Sequence, residues 1–117
     1  MHIEEFREYC ILKKGVSEGF PFDEQTLVFK VMGKMFALCG LGRVPAQVNL
    51  KCDPERAIAL REEYDGVIAG WHMSKVHWNT VFLESIAPKL TKELIDHSYE
   101  LVIAKFTKKL KSEYDAL

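Results

Sequence analysis

Residues 26–40, TLVFKVMGKMFALCG, restrict the fold more than any other stretch of the chain. Leu27, Phe29 and Val31 alternate with Val28 and Lys30, Met32-Gly33-Lys34 forms a tight turn, and MFALC returns. Period-two alternation on both sides of a glycine turn predicts an antiparallel hairpin, because successive strand side chains point to opposite faces. After Gly40, Gly42 and Pro45 break the chain, QVNLKC alternates again. It places Val48, Leu50 and Cys52 toward a core, with Gln47, Asn49 and Lys51 facing outward. Two further strand-like runs, VIAGWHM and HWNTVFLES, are joined by the short link Ser74-Lys75-Val76.

Helical segments separate and flank these strands. Ile3, Phe6 and Cys10 fall on one stripe, Glu4 and Glu5 lie in the first turn, and Lys13-Lys14 in the last. That polarity suits the helix dipole, and Gly15 is placed to terminate the helix. SEGFPFDE then reads as a loop. In DPERAIALREEYDG, Asp53 is an N-cap, Pro54 suits the first helical position, and Ala57, Leu60 and Tyr64 form the buried stripe up to Gly66. Beyond Ala87-Pro88, Ile95, Tyr99, Val102, Phe106 and Leu110 mark one long amphipathic helix. The expected fold class is α+β: an antiparallel sheet of about five strands covered by helices on one face, in a single domain spanning 1–117.

Composition narrows the function classes. The chain has 117 residues, is 48% hydrophobic and 28% charged, and no apolar run approaches the roughly 20 residues that cross a bilayer. The acidic start MHIEEFREYC lacks the basic, then apolar, character of a secretory signal, and Cys10, Cys39 and Cys52 form no CxxC pair. Reduced, buried thiols in a cytoplasmic protein are expected. The formal net charge is −1. Non-specific nucleic-acid binders usually carry a basic excess, so any basic face here is local. Residues 1–29 hold three basic and six acidic side chains, whereas residues 30–80 hold seven basic and five acidic.

The hairpin FKVMGKMFAL, the segment NLKCDPERAIALRE, the stretch WHMSKVHWNTV and the later SYELV resemble, in order and spacing, the MmcQ/YjbR family. Lys75 to Thr80, KVHWNT, is the most specific element. The resemblance implies a compact α+β domain of the CyaY/frataxin-like kind and a double-wing mode of DNA binding through β-hairpins. Two departures stand out. Ala69-Gly70-Trp71 replaces the family's Pro-Gly-Tyr, and Val76 stands where a second lysine is common, which weakens the phosphate-contact reading at that position.

Within this frame, Lys30, Asn49 and Lys51 point away from the core, Lys34 tips one hairpin and Lys75 tips the other, with His77 and Asn79 beyond it. These seven residues are the candidate nucleic-acid contacts, with Trp71 or Trp78 available to stack on unpaired bases. The structural alternative is that the lysines solubilise a sheet edge and the tryptophans fill the core. Alternation of Trp78 with Thr80 and Phe82 favours burial of its ring. His72 and His77 lack further ligands at a recognised spacing, so no metal and no cofactor is expected. Ser74 sits in no GxSxG elbow, and GLGR at 40–43 lacks a dinucleotide-loop context, so no catalytic residues are assigned. The expected protein is a non-catalytic DNA-binding domain. The rival is a protein-interaction module without nucleic-acid affinity, using an uncovered sheet face or the C-terminal helix with Lys105, Lys108, Lys109 and Lys111.

Overall fold

The computed structural model describes residues 1–71 and 73–117. Its elements run α1 (Ile3–Ile11), β1 (Val16–Gly19), β2 (Thr26–Val31), β3 (Lys34–Gly40), β4 (Gln47–Lys51), α2 (Pro54–Glu63), β5 (Val67–Ala69), β6 (Trp78–Phe82), a 3-10 turn at Leu83–Ser85, α3 (Pro88–Ala104) and α4 (Lys108–Asp115). The strands form one antiparallel sheet in the order β1-β2-β3-β4-β6-β5. The α+β class therefore holds, with six strands among the described residues.

Alternation sorts the sheet's side chains. Leu27, Phe29, Val31, Val48, Leu50 and Val81 enter the main core, where Phe6, Cys10, Ala57, Leu60, Ile95 and Tyr99 meet them from the helices. The hairpin turn places Met32 (φ 50°) and Gly33 (φ 80°) between the paired residues Val31 and Lys34, a two-residue turn whose twist matches that of the strands. One register shift lies between Phe29 and Lys30, opposite Met35 to Ala37, and sends both Phe36 and Ala37 into the main core.

The helices are fastened by a few polar contacts. Asp53 caps α2, accepting from the Arg56 amide at 3.1 Å, and Pro54 opens the helix as its missing N–H allows. From α3, the Ser98 hydroxyl donates to the Phe36 carbonyl at 2.5 Å and accepts from the Lys51 amide at 2.9 Å. Lys13 leaves α1, which stops at Ile11, and pairs with Asp96 of α3 at 2.5 Å. All three cysteines are free and buried; burial raises each thiol's pKa, that of Cys39 to about 11. No described helix is long and apolar enough to cross a membrane.

Two expectations change. The stretch expected as a loop begins with an edge strand, β1, held against β2 and by Arg7 on α1, whose guanidinium donates to both oxygens of Glu18 at 2.8 and 2.5 Å. The single C-terminal helix is two: α3 ends at Ala104, and Thr107 caps a new helix by accepting from the Leu110 amide at 3.2 Å. The bend lets Tyr114 of α4 reach back to α3, where it donates to the Tyr99 hydroxyl at 2.9 Å, since that hydroxyl's own proton goes to the Lys14 carbonyl.

Candidate functional site

The sheet face opposite the main core is only partly closed. Val28, Leu38 and Trp78 form a second, smaller apolar cluster there, with Met35 and Met73 packed against it. Trp78 is 8% exposed, so its ring is buried as expected, on the face away from the main core. Ile68, Thr80, Asn49 and Leu38 lie in one row across four strands of this face.

Between β5 and β6, Trp71 is tied to this row, and Met73 packs on the smaller apolar cluster. Gly70 donates to the Trp78 carbonyl at 2.9 Å, and a Cβ at Gly70 would lie 2.9 Å from that oxygen, so only glycine allows the approach. The Trp71 amide donates to the Thr80 hydroxyl at 3.0 Å, that hydroxyl donates to the Asn49 amide oxygen at 2.5 Å, and the Asn49 amide nitrogen donates to the Trp71 carbonyl at 3.3 Å. The ring of three bonds fixes the backbone of Trp71 to two neighbouring strands. At the other end of the segment, Arg61 of α2 donates to the Lys75 carbonyl, and the Cys52 amide donates to the His77 carbonyl at 2.8 Å.

Strand register decides where the candidate contacts lie. Lys34 opens β3, Lys51 closes β4 opposite Trp78, and the 70–77 segment enters β6 there, so Lys34, Lys51, Lys75 and His77 gather at one end of the sheet. Lys30 lies on β2 opposite Met35, near the same end. Lys34, Lys75 and His77 are exposed, Lys30 and Lys51 half-buried. None of these four ammonium groups is in an ion pair among the described residues.

Three sequence expectations need correction. Asn79 is 2% exposed; alternation between Trp78 and Thr80 turns it to the helix side. There its amide oxygen accepts from Arg61 at 2.7 Å and its nitrogen donates to the Ala57 carbonyl at 3.3 Å, so Asn79 ties α2 to β6 and offers nothing to a ligand. Asn49 does face outward, but it is half-buried and engaged with Trp71 and Thr80. Lys34 does not belong to the hairpin turn but opens β3, paired with Val31, and the Met32 amide in that turn donates to the Gly15 carbonyl at 3.0 Å. His72, the proposed companion of His77, lies outside the described residues. Among the described residues, no group of three His, Cys, Asp or Glu side chains is placed to hold a metal.

The structure also shows a feature that the sequence reading missed. Beside the Trp71 anchor a cleft of about 550 Å³ opens on the same sheet face. Leu38, Gly40, Gln47 and Asn49 line it from the strands, and Phe22, Asp23, Arg43 and Trp71 from the connecting segments. Arg43 lies in the glycine-rich GLGR stretch and Phe22 and Asp23 in a loop, and none of the three belongs to a periodic pattern that singles it out.

These observations define a class: a small α+β domain with helices on one sheet face, a partly roofed cleft on the other, and lysines gathered at one end. The YjbR family model matches residues 12–101, and the chain belongs to that family. Protein YjbR of Escherichia coli strain K12 is 32% identical over 104 residues, covering 88% of each chain. YbdF of Escherichia coli O157:H7 is 36% identical over 85 residues, covering 72% of this chain and 70% of its own. The crystal structure of a Deinococcus radiodurans protein with a DUF419 domain superposes with a TM-score of 0.90 at 38% identity, covering 97% of this chain and 87% of the other. A Pseudomonas syringae protein gives 0.75 at 27% identity, covering 86% of this chain and 98% of its own.

Proposed function

We propose that this protein is a non-catalytic nucleic-acid-binding domain whose phosphate contacts come from the lysine-bearing end of the sheet. One observation carries the reading: strand register brings Lys34, Lys51 and Lys75 to one end, with Lys30 near it, and no carboxylate pairs with them among the described residues. Cations left unneutralised by the protein are available to displace counterions from a phosphate backbone, which supplies most sequence-independent affinity. His77, exposed beside them, adds a hydrogen-bonding group.

The test is a fluorescence-anisotropy titration of labelled duplex and single-stranded DNA at two salt concentrations. Binding is expected to weaken steeply with salt, and the double variant Lys34→Gln/Lys75→Gln to reduce the slope of log K against log salt by about two. Flat anisotropy at micromolar protein and low salt overturns the reading in favour of a protein-interaction module. A slope unchanged in the double variant overturns the assignment of the phosphate contacts to the lysine end.

A further inference from the structure

The cleft beside Trp71 lies away from the lysine end, toward Thr26, Gly40 and Gln47, and carries a different chemistry. Its volume, about 550 Å³, is in the range of small-molecule sites, roughly 300–1,000 Å³. Trp71 is 53% exposed, yet its backbone is fixed at both N–H and C=O by Thr80 and Asn49. An aromatic face presented on a fixed backbone is a stacking platform whose ordering precedes ligand binding. Phe22, also exposed, contributes a second ring to the lining.

The charged groups are equally placed. The Arg43 guanidinium stands over the Trp71 ring, its central carbon 5.8 Å from the ring centroid. Its stem lies against Gly40, where a Cβ would come within 2.7 Å of Nε. Arg43 is in no ion pair among the described residues. Asp23 lines the same cleft and accepts from the amides of Gln25 and Thr26 at 2.8 and 2.7 Å. Those bonds hold its carboxyl below the usual carboxylate range, so it stays ionised. The cleft thus offers an aromatic face, a cation, an anion and the amide of Gln47.

A purely apolar ring would cover the indole and leave these polar groups without partners. A bare phosphate would satisfy Arg43 and cover none of the exposed area of Trp71 and Phe22. We infer that the cleft binds one nucleotide unit: a base stacked on the Trp71 wall, its polar edge toward Gln47 and Asp23, and its phosphate at Arg43. The unit comes either from a free mononucleotide or from an unpaired position in a strand. The inference does not depend on the lysine end.

Trp71 itself reports binding. Titration with the four nucleoside 5′-monophosphates, and with a short single-stranded oligonucleotide, is followed by tryptophan fluorescence and by calorimetry. Saturable quenching with a Kd of about 1 mM or tighter is expected for at least one of these probes. The quench should vanish in Trp71→Phe, which leaves only buried Trp78 as emitter. Affinity should fall about tenfold in Arg43→Gln, a change at an exposed side chain, and also in Gly40→Ala, which displaces the guanidinium without removing its charge. Binding of mononucleotides identifies the free source, and binding of the oligonucleotide alone identifies the strand. Ribose 5-phosphate binding as tightly as the nucleotides, or no calorimetric or fluorescence response to any probe, overturns the inference. Saturable quenching of the unmutated protein, with its duplex anisotropy flat, retains the cleft and rejects the lysine end.

Discussion

Thr80 and Asn49 face each other across the β4–β6 ladder, and the Thr80 hydroxyl is both donor to Asn49 and acceptor for the Trp71 amide. One buried hydroxyl thus closes the ring that holds the Trp71 backbone against the sheet. Thr80→Val keeps the shape and removes the hydroxyl's bonds to the Trp71 amide and the Asn49 amide oxygen. The expected cost is about 1–3 kcal/mol in urea denaturation, with faster amide exchange confined to the segment around Trp71. An unchanged urea midpoint would show that the ring contributes nothing.

The two tryptophans are predicted to behave oppositely. Trp78 fills the smaller apolar cluster against Val28 and Leu38, so Trp78→Ala should destabilise by about 3–5 kcal/mol. Trp71 is half-exposed and contacts Arg43, so Trp71→Ala should cost about 1 kcal/mol or less. Chemical denaturation of the two variants side by side decides the matter; equal losses would mean that Trp71 is also a packing residue.

His97 gives a pH dependence with a definite sign. Its Nε2 accepts from the Asp53 amide at 3.1 Å, which requires the neutral ring at that nitrogen. Burial, helped by Arg56, lowers its pKa from the ordinary 6.5, against weaker opposing effects of Asp53 and Glu100. The unfolded chain therefore binds the proton before the folded one does. The stabilising contribution is complete above pH 6.5 and is lost as the pH falls from there toward the lower folded value. His97→Gln keeps an acceptor for the Asp53 amide and cannot titrate. Urea midpoints taken at about pH 7.5 and about pH 5 should fall less in this variant than in the parent; equal falls would assign the acid sensitivity elsewhere.

Much of the architecture was legible from alternation and punctuation. Asp53-Pro54 marked the start of α2, Met32-Gly33 the hairpin turn, and Val48 and Leu50 the buried face of β4. β1 escaped because Ser17 and Glu18 break any apolar alternation; its pairing with β2 and the Arg7–Glu18 contact hold it in place. The break after Ala104 escaped because Phe106 and Leu110 continue the helical spacing, and Thr107 acts as a cap only once the chain has turned. The candidate site was less accessible still. Alternation alone puts Asn79 inside once Trp78 lies on the opposite face, but the sequence did not say which face the helices cover. Nor could local pattern foretell where Trp71 and Lys75 are held, since Asn49 bonds the first from 22 residues away and Arg61 the second from 14.

The outermost strands, β1 and β5, have four and three residues. An incoming chain seeking to extend the ladder would meet fewer pairing positions than the five or six of a typical strand, and at β1 it would meet Glu18 engaged with Arg7. The protein's margins are thereby poor templates for runaway polymerisation.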